Sequence, residues 1–223
     1  MQKSGINHTV KQGEYLSSIA RRYGFSDYKV IWNDPNNAKL KERRKNPNVL
    51  YPGDRLYIRD KEEKQESGST EQRHRFRIKS PKLELRLVLE DQYEKPIKNA
   101  QCDLHVGNEV LHLTSDGLGH INQSIPATAE NAFLIIKDQE TPLNEIVIPI
   151  KIGHLDPVEE QSGQQSRLNN LGYFAGRLVN AGEEENCTLF LSAVEEFQCD
   201  HGLTVDGKCG PLTQAKLKQV HGC

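Results

Sequence analysis

Cys199, His201, Cys209, His221 and Cys223 crowd the C-terminal 25 residues of the chain and carry the thiol and imidazole groups that bind zinc. Their spacing argues against a metal site, because no pair has the C-x2-4-C form that closes a chelate loop. All five cysteines of the chain read as reduced thiols instead: Cys102, Cys187, Cys199, Cys209 and Cys223 are odd in number and lack a close pair. His105, His112 and His120 with Asp116 form a second candidate cluster, but strand and turn spacing scatters them. No HExxH, GxSxG or Cys-His arrangement offers a nucleophile with its base, so no enzymatic activity and no cofactor are expected. Trp32, the only tryptophan, has a ring face suited to a sugar, yet it stands at helical spacing from Tyr28, which favours a core position. The basic run "KLKERRK", residues 39–45, reads first as a solvated helix face that neutralises nearby acids, with an acidic partner as the alternative.

The elements that position these residues are small. Of 223 residues, 35% are hydrophobic and 27% charged, and mean hydropathy is -0.69, which suits several compact units better than one deep core. A formal net charge of -2 argues against nucleic acid as a partner. No run approaches the roughly 18 apolar residues of a membrane span, so no membrane partner is expected either. The opening "MQKSGINHTV" has no apolar h-region. The expectation is synthesis in the cytoplasm without a signal peptide, followed by passage to the cell envelope or outside through a specialised secretion route.

Composition divides the chain into units at 1–60, 80–153 and 154–223, with a flexible linker at 61–79 where "DKEEKQESGSTEQRHR" supplies no apolar residue. In the first unit a short strand "HTV" precedes a helix with Leu16, Ile19, Ala20 and Tyr23 on one face. Gly24 ends that helix, Ser26 or Asp27 caps a second, and "RLYI" returns as a strand. In the second unit Leu83, Leu85, Leu87 and Leu89 alternate, and several such strands with "DQYEKP" and "TSDGLGHI" turns predict an antiparallel β-sandwich. The third unit is helical. Asp156, Pro157 and Glu159 form a helix-start signature, Phe190, Ala193, Val194 and Phe197 share a face, and Pro211 opens a last helix with Thr213, Leu217 and Val220 inward. The fold class is therefore multidomain α+β.

"HTVKQGEYLSSIARRYGFS" followed by "NPNVLYPGDRLYI" resembles a LysM domain, a βααβ module that binds N-acetylglucosamine-containing glycans; the resemblance covers about residues 7–59. It implies a groove between Gly13, Glu14, Tyr15 and Leu16 on one side and Pro47, Asn48, Val49 and Leu50 on the other. Backbone groups there would hydrogen-bond an acetamido group while apolar side chains cover the ring. Two departures stand out: Glu14 and Tyr15 replace the family's usual Asp and Thr, and the segment from Pro35 to Pro47 is longer than the family's. The middle unit resembles carboxypeptidase-regulatory-like, transthyretin-type sandwiches. "RLNNLGYF" with "AVEEFQCDHGLTVDGKCGPLTQAKL" resembles a peptidoglycan-binding three-helix domain, although Gln164 stands where that family buries an apolar residue, predicting a less well packed first helix.

Together these resemblances imply a non-catalytic bacterial protein that binds peptidoglycan or a chitin-like glycan. For the basic run they add the carboxylates of peptidoglycan stem peptides as a partner. The alternative is a docking accessory or cargo adaptor of a type VI secretion or contractile-injection apparatus, with a spike protein as partner. The long-loop first unit, the sandwich and "GHLDPVEEQSGQQSRLNNLGY" resemble small proteins accompanying such spikes.

Overall fold

The computed structural model describes residues 5–61, 67–75, 82–91, 93, 95–137, 145–177 and 184–223. Residues 62–66 and 76–79 of the expected linker lie outside the described residues.

Strand β1 (Gly5–Thr9) pairs antiparallel with β2 (Arg55–Arg59), His8 opposite Leu56, and helices α1 (Leu16–Arg22) and α2 (Lys29–Trp32) lie between them in sequence. The apolar stripe of α1 closes the core: Leu16, Ile19 and Ala20 are buried with Val10, Ile31, Leu50, Leu56 and Ile58. Each large aliphatic side chain removed from water this way contributes roughly 1.5–3 kcal/mol. Trp32, 6% exposed, belongs to the same cluster, so its ring is a core filler.

The long segment from Pro35 is folded, and it adds a third helix to the expected strand-helix-helix-strand order. A 3-10 turn (Pro35–Asn37) leads into α3 (Ala38–Arg44). Buried Asn37 donates to the Tyr57 carbonyl at 2.8 Å and accepts from the Tyr57 amide at 2.7 Å, as a third strand would along the free edge of β2. Asp34 holds Arg59 at 2.8 Å, and Asp54 holds both Arg43 and Arg44. Leu40 plugs into the core. Burial pushes the Asp54 carboxyl up, but the Arg44 and Arg43 guanidiniums and the Tyr51 amide outweigh it and keep the group below the usual carboxylate range.

In the middle unit, β3 (Lys82–Val88) pairs with β6 (His120–Pro126), while β5 (Glu109–Thr114), β4 (Gln101–Val106), β7 (Asn131–Lys137) and β8 (Glu145–Lys151) form a four-stranded antiparallel sheet in that order. The alternating leucines of β3 pack with Cys102, Leu104, Ile121, Ile125, Leu134 and Ile136 in one core between the two sheets. Both anticipated turns use the same device, an aspartate accepting two backbone amides: Asp91 from Tyr93 and Lys95, Asp116 from Leu118 and His120. Two strands cannot cover four, so β8 is left with Ile146, Val147 and Ile148 at 57, 54 and 37% exposure.

Helices α4 (Gln161–Asn170), α5 (Glu184–Asp200) and α6 (Pro211–His221) build the third unit around Val158, Leu168, Ala193, Val194, Phe197 and Leu217. Two details correct the sequence reading. The first helix starts at Gln161 and not at Pro157, because Asp156 accepts from the Ser162 hydroxyl at 2.7 Å while Pro157–Glu160 closes a turn beneath it. Val220 is 39% exposed, since the inward stripe of α6 ends at Leu217. Nor is α4 loose for want of an apolar residue: the Gln164 amide donates to the Val158 carbonyl at 2.8 Å, and Gln165 to Ala175 at 2.6 Å. Arg167, 1% exposed, donates to the carbonyls of Asp156, Gly163 and Cys223 and so ties both ends of the unit together.

Candidate functional site

The two candidate loops lie at one end of the first unit and share its core. Leu16 and Leu50 are in the same cluster, and Val10 bonds Asp54 and Gly53 through its backbone, tying the start of one loop to the end of the other. Glu14 is buried and clamps its own loop: its carboxylate accepts from the Lys11 amide at 2.9 Å, from His8 at 2.7 Å and from Arg22. Burial alone would raise the Glu14 carboxyl, yet these three donors together keep it below its ordinary range. On the other side, Asn46 receives the Asn48 amide at 2.9 Å, Val49 and Leu50 are buried, Pro47 is half-buried and Asn48 is exposed.

The first loop does not face open solvent. Tyr15, only 2% exposed, reaches into the sandwich, where its hydroxyl lies 2.8 Å from the Ala127 carbonyl and 3.0 Å from that of Ala129. Burial, with Glu130 nearby, pushes the phenol up to about 12. Gly13 (φ +83°) lies under the His154 ring, where an added Cβ would come within 2.7 Å of Nε2. Gly153 (φ +81°) lies against the Tyr15 ring, and a Cβ there would come within 2.8 Å of the Gly13 carbonyl. Gln12 approaches Asp156 at 3.5 Å. The segment 12–15 is therefore the first unit's half of a joint whose other half is Ala127, Ala129 and residues 153–156. Of these partners the sequence singles out Asp156 alone by residue, and for a helix start and not for this joint. The one visible signal was Tyr15 itself, an aromatic where the LysM family has a small hydroxyl residue.

Of the three histidines in the middle unit's candidate cluster, two are in separate pairs, His112 with Asp103 at 2.6 Å and His120 with Asp116 at 3.4 Å. Near the C-terminus His221 lies 3.1 Å from the Cys223 sulfur, and burial pushes the Cys209 thiol up to about 11. No cluster of three or more His, Cys, Asp or Glu suited to a metal ion occurs among the described residues, and no cysteine there is in a disulfide.

In the third unit the "FQ" and "VDG" of the sequence meet. Gln198, 1% exposed, accepts from the amides of Asp206 and Gly207 and donates to Asp206, Lys208 and Thr213. A shallow recess of about 430 Å³ lies to the side, lined by Asn169, Gly172, Tyr173, Phe174, Gly176 and Arg177.

With this geometry the comparisons with known proteins are direct. Residues 8–33 match the LysM domain. Residues 164–217 match a putative peptidoglycan binding domain. The chain thus carries two regions of polymer-binding type around a sheet-rich middle, in a multidomain α+β arrangement. The LysM match stops just before the 3-10 turn, so the segment 35–47 and the candidate loop 47–50 lie beyond it. No curated protein and no solved structure matches the chain. No described helix is long and apolar enough to cross a membrane.

Proposed function

We propose that the chain is a non-catalytic adaptor that binds peptidoglycan, an N-acetylglucosamine-containing glycan, through a module at each end. The observation that carries this reading is the pair of matched regions, each with its own hydrophobic core, on one chain. Two weak sites on one chain gain by effective concentration when the ligand is a repeating polymer. The test is co-sedimentation of the full chain with purified sacculi and with chitin beads. Retention on sacculi is expected, reduced about tenfold or more by Asn48→Trp in the first unit or Phe174→Ala in the third. A wild-type chain that stays in the supernatant overturns the reading.

One observation favours a second reading, that of a protein-docking accessory or cargo adaptor of a contractile secretion apparatus. Tyr15, on the loop that a LysM domain would turn to its sugar, is buried in a contact between units. On that reading, tagged chain isolated at native expression brings a stoichiometric spike protein with it, and a chain that emerges alone and monomeric rules it out. Export by such a route would reconcile the two readings.

A further inference from the structure

Helix α3 and the turn before β2 enclose a recess of about 450 Å³ lined by Lys39, Leu40, Arg43, Gly53 and Arg55. Three of these five side chains are cations. Asp54, the carboxylate between Gly53 and Arg55, is 3% exposed and already shared by Arg43 and Arg44. Neither Lys39 nor Arg55 has a carboxylate partner among the described residues, and Glu42, also on α3, is exposed and pairs with none of them. Arg44, outside the lining, is occupied by Asp54 and also feels Glu159 and Glu160, so the cations left to the recess itself are Lys39 and Arg55, with Arg43 shared with Asp54, on a chain whose net charge is -2.

A face that merely solvates a helix would spread its charges or balance them. Here the surplus converges on a concavity, against the sign of the chain as a whole, and three of its five lining residues, Lys39, Leu40 and Arg43, come from the segment that departs from the LysM pattern. Leu40, in its lining, shares a core cluster with Leu50 of the candidate loop 47–50, and none of its lining residues belongs to the joint that covers Tyr15. We infer that this recess is an anion-binding subsite that takes the free carboxylates of peptidoglycan's peptides, so that the first unit selects charged wall polymer over a neutral glycan such as chitin. The inference rests on the peptidoglycan-binding reading above. Guanidinium and ammonium groups bind carboxylate and phosphate alike, so a phosphate-rich wall polymer is the competing source of the same chemistry.

The experiment compares the full chain with Lys39→Ala/Arg55→Ala on four supports: sacculi that keep their phosphate polymers, sacculi freed of those polymers but otherwise untreated, the freed sacculi with carboxylates amidated by carbodiimide, and chitin. Both substituted side chains are exposed, and a circular dichroism melt checks that the variant keeps its fold. Expected is an approximately tenfold loss of retention of the variant on untreated sacculi, a similar loss for wild type on amidated sacculi, and equal behaviour of the two proteins on chitin. Raising the salt should erase the difference between the two proteins. The amidation arm needs no variant. Wild type retained equally on untreated and amidated sacculi overturns the subsite while leaving peptidoglycan binding intact. Wild type retained only on sacculi that keep their phosphate polymers assigns the recess to phosphate and overturns the carboxylate. Wild type retained on no support overturns the function and the subsite together.

Discussion

Gln198 shows how one amide can carry a whole turn. Its oxygen takes the Asp206 and Gly207 amides at 2.9 and 3.0 Å, and its nitrogen reaches Asp206, Lys208 and Thr213 at 2.9 to 3.1 Å. Leucine would fill the same space and leave those backbone groups without partners, so Gln198→Leu is expected to cost about 3 kcal/mol, read as a lower urea midpoint for the full chain. His221 sets a pH dependence at the same scale. Burial, reinforced by Arg167, pushes its imidazole down to about 4. A base whose folded pKa is depressed contributes stability that is complete above its unfolded pKa, near 6.5. That contribution drains away as pH falls from about 6.5 towards 4. Denaturation midpoints at pH 7 and 4.5 should therefore separate in wild type by more than in His221→Gln, and equal separations would contradict the assignment.

At the scale of elements, β8 is an edge strand with both faces largely in solvent, a shape that invites pairing with another chain. Pro149 in its middle removes one backbone donor, which is how natural edges are blunted. Pro149→Thr restores that donor, and the expected outcome is concentration-dependent self-association by light scattering where wild type gives none. Elements with a strong local period were legible in the sequence: the Leu83–Leu89 alternation became β3, and the stripe from Leu16 to Tyr23 became α1. The start of α4 was misplaced because Asp156 has a cap's chemistry but gives its carboxylate to Ser162 instead. The course of the 35–47 segment was illegible for a different reason. It is fixed by Asn37 on Tyr57 and by Arg43 and Arg44 on Asp54, contacts that leave no periodicity. The candidate loops were found by resemblance, yet the joint on one of them depends on Tyr15 meeting residues more than a hundred positions away.

For the whole molecule, the joint at residues 12–15 and 153–156 links the first unit to the boundary between the other two. Its fit depends on two glycines: Gly153 has φ +81° and no room for a Cβ beside Tyr15, and Gly13 lies under His154. Gly153→Ala should pry the joint apart while leaving all three cores intact. Hydrogen exchange of the 13–16 amides should then rise tenfold or more, with no change at Ile58, Leu134 or Leu168; unchanged exchange at 13–16 would show that the contact does not hold the units. The same contact sets a toll on recognition. A ligand that needs the covered face of Tyr15 is measured not at its intrinsic affinity but at that affinity scaled by the fraction of molecules in which the joint is open. A joint open in about one molecule in a hundred weakens such a ligand about a hundredfold. A ligand read by the Lys39 and Arg55 recess, outside the joint, pays nothing of the kind, so the closed form of this chain ranks its ligands by charge before it ranks them by sugar.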